Sequence, residues 1–339
     1  MAPVGNARAM NLPHLGRAKP ITGQCAQPRG LPRLPRVGVI INLHSQGNQS
    51  DRRRALNLPE ALIIQLAPPN RSMLDEAMRT FVEEAVELIV IDGGDGTVRE
   101  VVSAAHRAFG VNLPRFAIVR SGKTNALAMD LGVPENWTLE QIIVSHCMDH
   151  VIERRPIHIR WNSKTHPDLF GFIFGFGAYS RATLLAQRVH KWGMFNGVAI
   201  FVTLSWALLQ TILGGLRTPW TRGEAVRIYH RGDDIMSERL YLMLCSTLHD
   251  QPIPVRPFGK PRQGLKFLTI PAPPRRLWRY LPAILAGTRT KWLEEHGILR
   301  RDVEQLVICI RRSFIVDGER FPGGNLTITH AAPIEFVVP

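Results

Sequence analysis

The residues best suited to chemistry are Gly93-Gly94-Asp95-Gly96-Thr97, small residues grouped around one carboxylate. Glycines let a backbone approach a ligand closely, and free N–H groups at the start of a following helix favour a phosphate. Asp95 would repel a phosphate unless a divalent cation lay between them, so an acid here points to a Mg2+-bound nucleotide. Gly and Asp are also common turn formers, so the run by itself fits an ordinary tight turn too. Two further turns carry similar residue types: Asn42-Leu43-His44-Ser45-Gln46-Gly47 and Ser121-Gly122-Lys123-Thr124-Asn125.

The elements around these turns read as a repeating pattern. Residues 37–42 (VGVIIN) form a buried strand and residues 61–66 (ALIIQL) a second. Ser72 opens a helix to about residue 84, with Asp75 supporting its cap. A third strand, 87–91 (ELIVI), runs straight into the glycine cluster. The next helix begins at Thr97, where Thr97 and Glu100 form a capping box, and Val98, Val101, Val102 and Ala105 follow helical spacing. Residues 116–119 are a fourth strand, followed by a helix through Leu131. Strand–turn–helix repetition predicts an open parallel α/β sheet. Ligands of such sheets bind outside the carboxyl ends of the strands, where all three turns converge.

After about residue 150 the texture changes. Strands are predicted at 151–161, 170–176, 226–230, 239–246, 264–270, 305–316, 326–330 and 334–338. Helical insertions interrupt them at 181–213 and 277–295. The expected organisation is a disordered basic arm (1–36), an α/β domain (37–150) and a mainly β, sandwich-like domain (151–339).

Composition narrows the function. With 45% apolar and 21% charged residues, wholesale disorder and a fibrous protein are excluded. Cys25, Cys147, Cys245 and Cys309 lie far apart and read as reduced thiols of a cytoplasmic protein. The arm holds six basic residues, no acid and no apolar core of a signal peptide. The longest apolar run, 197–213, falls short of the ~20 residues a spanning helix needs, so it reads as a buried or interfacial helix.

A net charge of +14 calls for an anionic partner. Basic density peaks at 256–291, with nine Lys/Arg, no acid, and Phe258, Phe267, Leu277, Trp278 and Tyr280 between them. Such a surface suits anionic headgroups, with Trp278 and Tyr280 at the interface. No helix-turn-helix, zinc finger or RNA-binding aromatic signature accompanies the charge, so nucleic acid is not expected. The oligomeric state is left open by the sequence.

In their order and spacing, the three turns resemble the catalytic domain of the diacylglycerol kinase family, which includes sphingosine kinases and bacterial lipid kinases. Asn42, Ser45 and Gly47 approximate the family's N-P-x-S-G with one extra residue, and Gly93–Thr97 match G-G-D-G-T, continued by Glu100-Val101. Gly122, Asn125, Ala128, Leu131, Gly132 and Pro134 match the third motif. Gly175-Phe176-Gly177-Ala178, Lys191 and Gly193, and Val316-Asp317-Gly318-Glu319 extend the likeness towards the C-terminus. G-G-D-G-T is shared with NAD kinases and phosphofructokinases, whereas its combination with a late D-G-E is not.

The resemblance implies ATP-dependent phosphorylation of a lipid hydroxyl, diacylglycerol-like or sphingoid. It implies ATP and Mg2+ as cofactors, a lipid substrate bound by the β-rich domain, and a cytoplasmic protein held peripherally at the inner face of the membrane. Asn42, Ser45, Gly93, Gly94, Asp95, Gly96, Thr97, Gly122, Lys123, Thr124 and Asn125 would line the nucleotide, with Asp95 close to Mg2+. Glu319, assisted by Asp317, would accept the proton from the attacking hydroxyl. By itself Asp317-Gly318-Glu319 reads as a hairpin turn; beside G-G-D-G-T the catalytic reading is favoured.

Several positions depart from the family pattern. Arg120 stands where the family has Pro, Lys123 where it has Thr, and Ala126 where it has Asp. Bacterial members hold an accessory Mg2+ with a D-D-G-x-L-D-like segment, whereas residues 261–266 read PRQGLK without a carboxylate. The expectation is that this accessory site is absent and that the Lys266 ammonium stands in its place. These departures keep open a non-catalytic nucleotide- or lipid-binding member; an NAD kinase-like enzyme is the other alternative.

Overall fold

The computed structural model describes residues 34–42, 63–122, 124–191, 221–230, 233–250, 255–288 and 291–339. The arm up to residue 33, Ser45 and Gly47 of the first turn, Lys123, and the apolar run at 197–213 lie outside the described residues.

The first half of the chain supplies β1 (Val37–Ile41), β2 (Ile63–Leu66), α1 (Arg71–Glu83), β3 (Leu88–Gly93), α2 (Asp95–Phe109), β4 (Arg115–Arg120), α3 (Ala126–Asp130), α4 (Leu139–Cys147) and β5 (Val151–Arg154). The second half supplies β6 (Ile157–Trp161), β7 (Leu169–Gly171), β8 (Ile173–Gly177), α5 (Ala178–Lys191), β9 (Glu224–His230), β10 (Asp233–Ser246) and β11 (Leu265–Pro271). It continues with α6 (Leu277–Ala286), α7 (Lys291–Glu295), β12 (Leu299–Val303), β13 (Gln305–Ile310), β14 (Phe314–Val316), β15 (Glu319–Phe321), β16 (Gly324–His330) and β17 (Ile334–Val337).

The first sheet runs β2-β1-β3-β4-β17-β5. β1, β2, β3 and β4 pair in parallel, as do β4 and β17, whereas β5 joins antiparallel to β17. Leu88, Ile89, Val90 and Ile91 of β3 are all buried, because helices cover both faces of a parallel sheet. Gly38 lets α1 close on β1: a Cβ there would lie 2.5 Å from the Phe81 ring. Strands 151–154 and 334–337, read from the sequence as part of the β-rich half, pair in this first sheet. Ile334, Phe336 and Val337 are buried there in its core.

Among the described residues the second sheet has 11 strands, antiparallel throughout, in the order β15-β14-β8-β10-β9-β13-β16-β6-β7, with β11 and β12 branching off β10. β13 shows the expected period-2 alternation, with Leu306, Ile308 and Ile310 buried. The single strand predicted over 305–316 is two. Arg311 and Arg312 are exposed, and beyond them the chain crosses to pair β14 with β8 instead of continuing along β16. β12, Leu-Arg-Arg-Asp-Val, was hidden by its charges, which an edge strand paired only to β11 tolerates.

Two helix starts also differ from expectation. α1 is capped by Asn70, whose side chain accepts from Met73 N–H at 3.0 Å, while Ser72 donates to Asn70. α2 begins at Asp95 with Gly94 as N-cap, so no Thr97–Glu100 capping box forms. Thr97 Oγ1 instead accepts from Asn42, and Glu100 is engaged by two arginines.

Candidate active site

Asn42, the one described residue of the first turn, meets the second and third turns at the carboxyl edge of the first sheet. Asn42, just past β1, donates from Nδ2 to Thr97 Oγ1 at 2.8 Å, and its N–H donates to Asp92 O. The Ser121 hydroxyl donates to the Asp92 carboxylate, joining the turn after β4 to the end of β3. Gly94 and Gly122 touch backbone to backbone: a Cβ on Gly122 would stand 2.4 Å from Gly94 Cα. Any larger side chain there would force the turns apart.

Asn125 shapes the third turn from within. It adopts a left-handed backbone (φ +51°), accepts from Gly122 N–H at 3.0 Å and donates to Gly122 O at 2.8 Å. Its amide is thus spent on the turn, while Thr124 is exposed beside it.

Asp95 is the first residue of α2, and its Oδ1 accepts from Leu127 N–H at the start of α3. Burial raises its pKa, and surrounding backbone N–H groups of Leu127, Ala126 and Asn125 only partly oppose this. Asp95, Val98, Ala126, Leu127, Phe172 and Asp317 line one narrow crevice. The N-cap of α2, Gly94, has no side chain to satisfy the first N–H groups of the helix.

The late motif reaches this crevice from the second sheet. Asp317 (φ +45°) and Gly318 (φ +82°) are the two central residues of the turn joining β14 to β15. Two consecutive positive φ values define a type I′ turn, whose Asp-Gly preference the sequence satisfies. Both Asp317 oxygens are used: they accept from Phe172 N–H (3.1 and 3.0 Å) and Oδ1 accepts from Ile173 N–H (2.8 Å). Burial pushes the Asp317 pKa up to about 7; Arg99 lowers it and neighbouring Asp95 raises it. Asp317 therefore braces the junction of β7 and β8.

Glu319 opens β15 and lies over the glycine turn. A Cβ on Gly96 would come within 2.8 Å of Glu319 Oε1, so glycine at 96 makes room for that carboxylate. Its other oxygen, Oε2, accepts from Arg99 Nη2 at 2.6 Å.

Arg99 was missed by the sequence reading. Its side chain is fully buried, donating to Glu319, to Glu100 Oε1 at 2.6 Å and to Val316 O at 3.1 Å. It also lies 5.0 Å over the Phe321 ring. Arg71 completes the cluster with two bonds to Glu100, at 2.8 and 2.6 Å. Burial works against the charge on Glu100, but Arg71 and Arg99 hold its carboxyl below the usual range. An arginine one turn into an amphipathic helix reads as surface; only the hairpin folding over it from 217 positions away buries it. The signal available was its place between Val98 and Val101, on the apolar side of the helix.

Lys266 is 2% exposed on β11. Its Nζ donates to Arg262 O at 2.8 Å and Gly264 O at 3.3 Å, filling the 261–266 loop with an ammonium. Burial, reinforced by nearby Arg262, lowers its pKa to about 8. Among the described residues no helix is long and apolar enough to cross a membrane.

Residues 36–158 match the diacylglycerol kinase catalytic domain. A 59-residue stretch is 39% identical to a Citrobacter koseri protein named “Probable lipid kinase YegS-like”; it covers 16% of this chain and 20% of that relative's length. Two solved structures named for diacylglycerol kinases of Bacillus anthracis str. Sterne superpose with TM-scores of 0.63 and 0.58 at 17% and 14% identity. Each match covers 90% of this chain and 97% of the other. Such identities establish a shared fold, in which a mixed sheet is followed by a large antiparallel one. Residues 36–158, the stretch that carries all three turns, are thus similar to the diacylglycerol kinase catalytic domain.

Proposed function

We propose that the protein is a lipid kinase that transfers the terminal phosphate of ATP to a lipid hydroxyl. The observation that carries this reading is the seating of Glu319 Oε1 above Gly96, directly over the uncapped start of α2. A carboxylate and a phosphate-binding turn from opposite ends of the chain thereby face one point. Phosphoryl transfer asks little more of a protein than such positioning and charge neutralisation.

The N–H groups at the start of α2 hold the phosphates. Asp95, part of whose carboxylate accepts from backbone N–H groups, would be the residue to hold a divalent cation. One or two carboxylates plus phosphate oxygens make up the donor set Mg2+ takes in such sites, so the residues fit it. Mg2+ bound with the nucleotide supplies neutralisation of phosphate charge. Arg99 occupies Oε2 of Glu319, which leaves Oε1 to take the proton from the lipid hydroxyl. The lipid oxygen forms its bond to the γ-phosphorus while the bond to the β–γ bridging oxygen breaks, and ADP leaves. Asp317 holds the hairpin that carries Glu319, which is a positioning role.

Incubation with labelled ATP, Mg2+ and diacylglycerol, monoacylglycerol or sphingosine in mixed micelles tests the reading. Label should enter the lipid fraction with the wild type and fall by at least ~100-fold with Asp95→Asn or Glu319→Gln. ATP binding with no transfer to any of these lipids would favour the non-catalytic alternative. Transfer to NAD would favour the other enzyme.

A further inference from the structure

Helix α6 presents an outer stripe at odds with a helix that faces only water. Leu277, Tyr280 and Ile284 are buried, packed with Leu268, Ile270 and Leu293. Trp278, Pro282, Leu285 and Ala286 are exposed on the other side at helical spacing, a stripe about 10 Å long. Trp278 is 60% exposed and Leu285 37%; Trp292 of α7, 36% exposed, packs in a tilted arrangement on Tyr280 at a 4.4 Å ring separation. Tyr280 is itself only 5% exposed, so of the two aromatics expected at an interface Trp278 alone is exposed, with Leu285 beside it on the stripe.

The charges around this stripe are of one sign at its start. Arg275, Arg276 and Arg279 are exposed at the N-terminal end of α6, Lys291 is exposed just beyond its C-terminal end, and none is ion-paired with another described residue. Glu294 and Glu295 sit on the far end of α7. Cations at a helix N-terminus oppose the helix dipole, and α6 has neither an acid in its first turn nor a side-chain cap. An external anion at that end would relieve both. A duplex groove would meet the arginines but leave the tryptophan–leucine stripe in water, whereas a lipid surface takes both together.

We infer that the outer face of α6 docks on an anionic membrane, with Trp278 and Leu285 entering the headgroup boundary and Arg275, Arg276 and Arg279 contacting lipid phosphates. This goes beyond the kinase reading and does not depend on turnover, because it is tested by binding alone.

The test is co-sedimentation of the full chain with phosphatidylcholine vesicles, with or without phosphatidylglycerol. Wild type should bind the anionic vesicles, and high salt should release it. Removing each cation should weaken binding about fivefold, so Arg275→Gln with Arg279→Gln should cost roughly 25-fold. Trp278→Ser should weaken binding at any salt concentration. Arg79→Gln, an exposed charge on α1, serves as the control and should bind as wild type does. Thermal melts show whether each variant is folded. Equal binding by the arginine variants and the wild type, equal binding to both vesicle types, or no vesicle binding at all would overturn the inference. So would capture of a DNA or RNA duplex that depends on the arginines while Trp278→Ser has no effect.

Discussion

Arg99 has no exposed surface, yet it holds a carboxylate that is half exposed. Replacing it with Met would leave Glu319 untethered and remove the guanidinium bond to Val316 O. Losing these charge-assisted hydrogen bonds should cost about 1.5–3 kcal/mol, which urea unfolding would register. If the arginine also positions the base, Arg99→Lys should recover stability more fully than kcat, with nucleotide affinity unchanged throughout. A single ammonium cannot reach Glu319, Glu100 and the carbonyl with the fork geometry of a guanidinium. Equal recovery of stability and turnover by lysine would reduce Arg99 to a structural role. Gly96→Ala should lower kcat with little effect on stability, because the new methyl meets only the flexible end of Glu319.

Among the elements, β11 and the loop before it depend on a buried amine. The buried Lys266 Nζ donates to two carbonyls of that loop. Lys266→Met should destabilise the protein by about 1–3 kcal/mol, with the loss appearing in chemical denaturation and in faster amide exchange across 261–266. Full stability in the variant would show that the loop needs no internal cation. The type I′ hairpin at Asp317-Gly318 was legible as a turn from its two residue types, because few residues adopt φ above zero at both positions. Where that hairpin points was not legible. Its direction is set by β14 pairing with β8 and by Asp317 capturing the N–H groups of Phe172 and Ile173, contacts about 145 residues apart in sequence.

At the scale of the whole molecule, α2 is clamped to the second sheet by more than the active-site arginine. His106 stacks on Phe170 at 3.8 Å and Phe170 on His158 at 4.5 Å, while Ser103 exchanges hydrogen bonds with the Phe170 backbone. Burial, aided by nearby His158, lowers the His106 pKa from 6.5 to about 4. Between those values the unfolded chain takes up a proton that the folded chain refuses, so stability falls as pH drops through that window. The melting temperature should therefore decline from about pH 6.5 towards pH 4. His106→Gln should flatten that decline. An unchanged slope in the variant would assign acid sensitivity to other groups.

The local half of this protein was decided by its sequence. Buried β3, the glycine turn, the helix after it and the alternation of β13 follow from side-chain volume, φ preference and period, all properties of neighbouring residues. The three turns could be placed at one sheet edge because parallel strand–helix repeats leave only one edge for them. Tertiary structure alone decided which groups remain available there. Asn125 and Asp317, both candidate site residues, spend their polar atoms on the backbone, whereas Glu319 is free on one oxygen and tethered on the other. It also decided that the last strand returns to complete the first sheet and that Arg99 is core and not surface. The physical reason is common to all of these: hydrogen-bond satisfaction and burial depend on partners that chain folding brings from far away, and no local pattern encodes who those partners are.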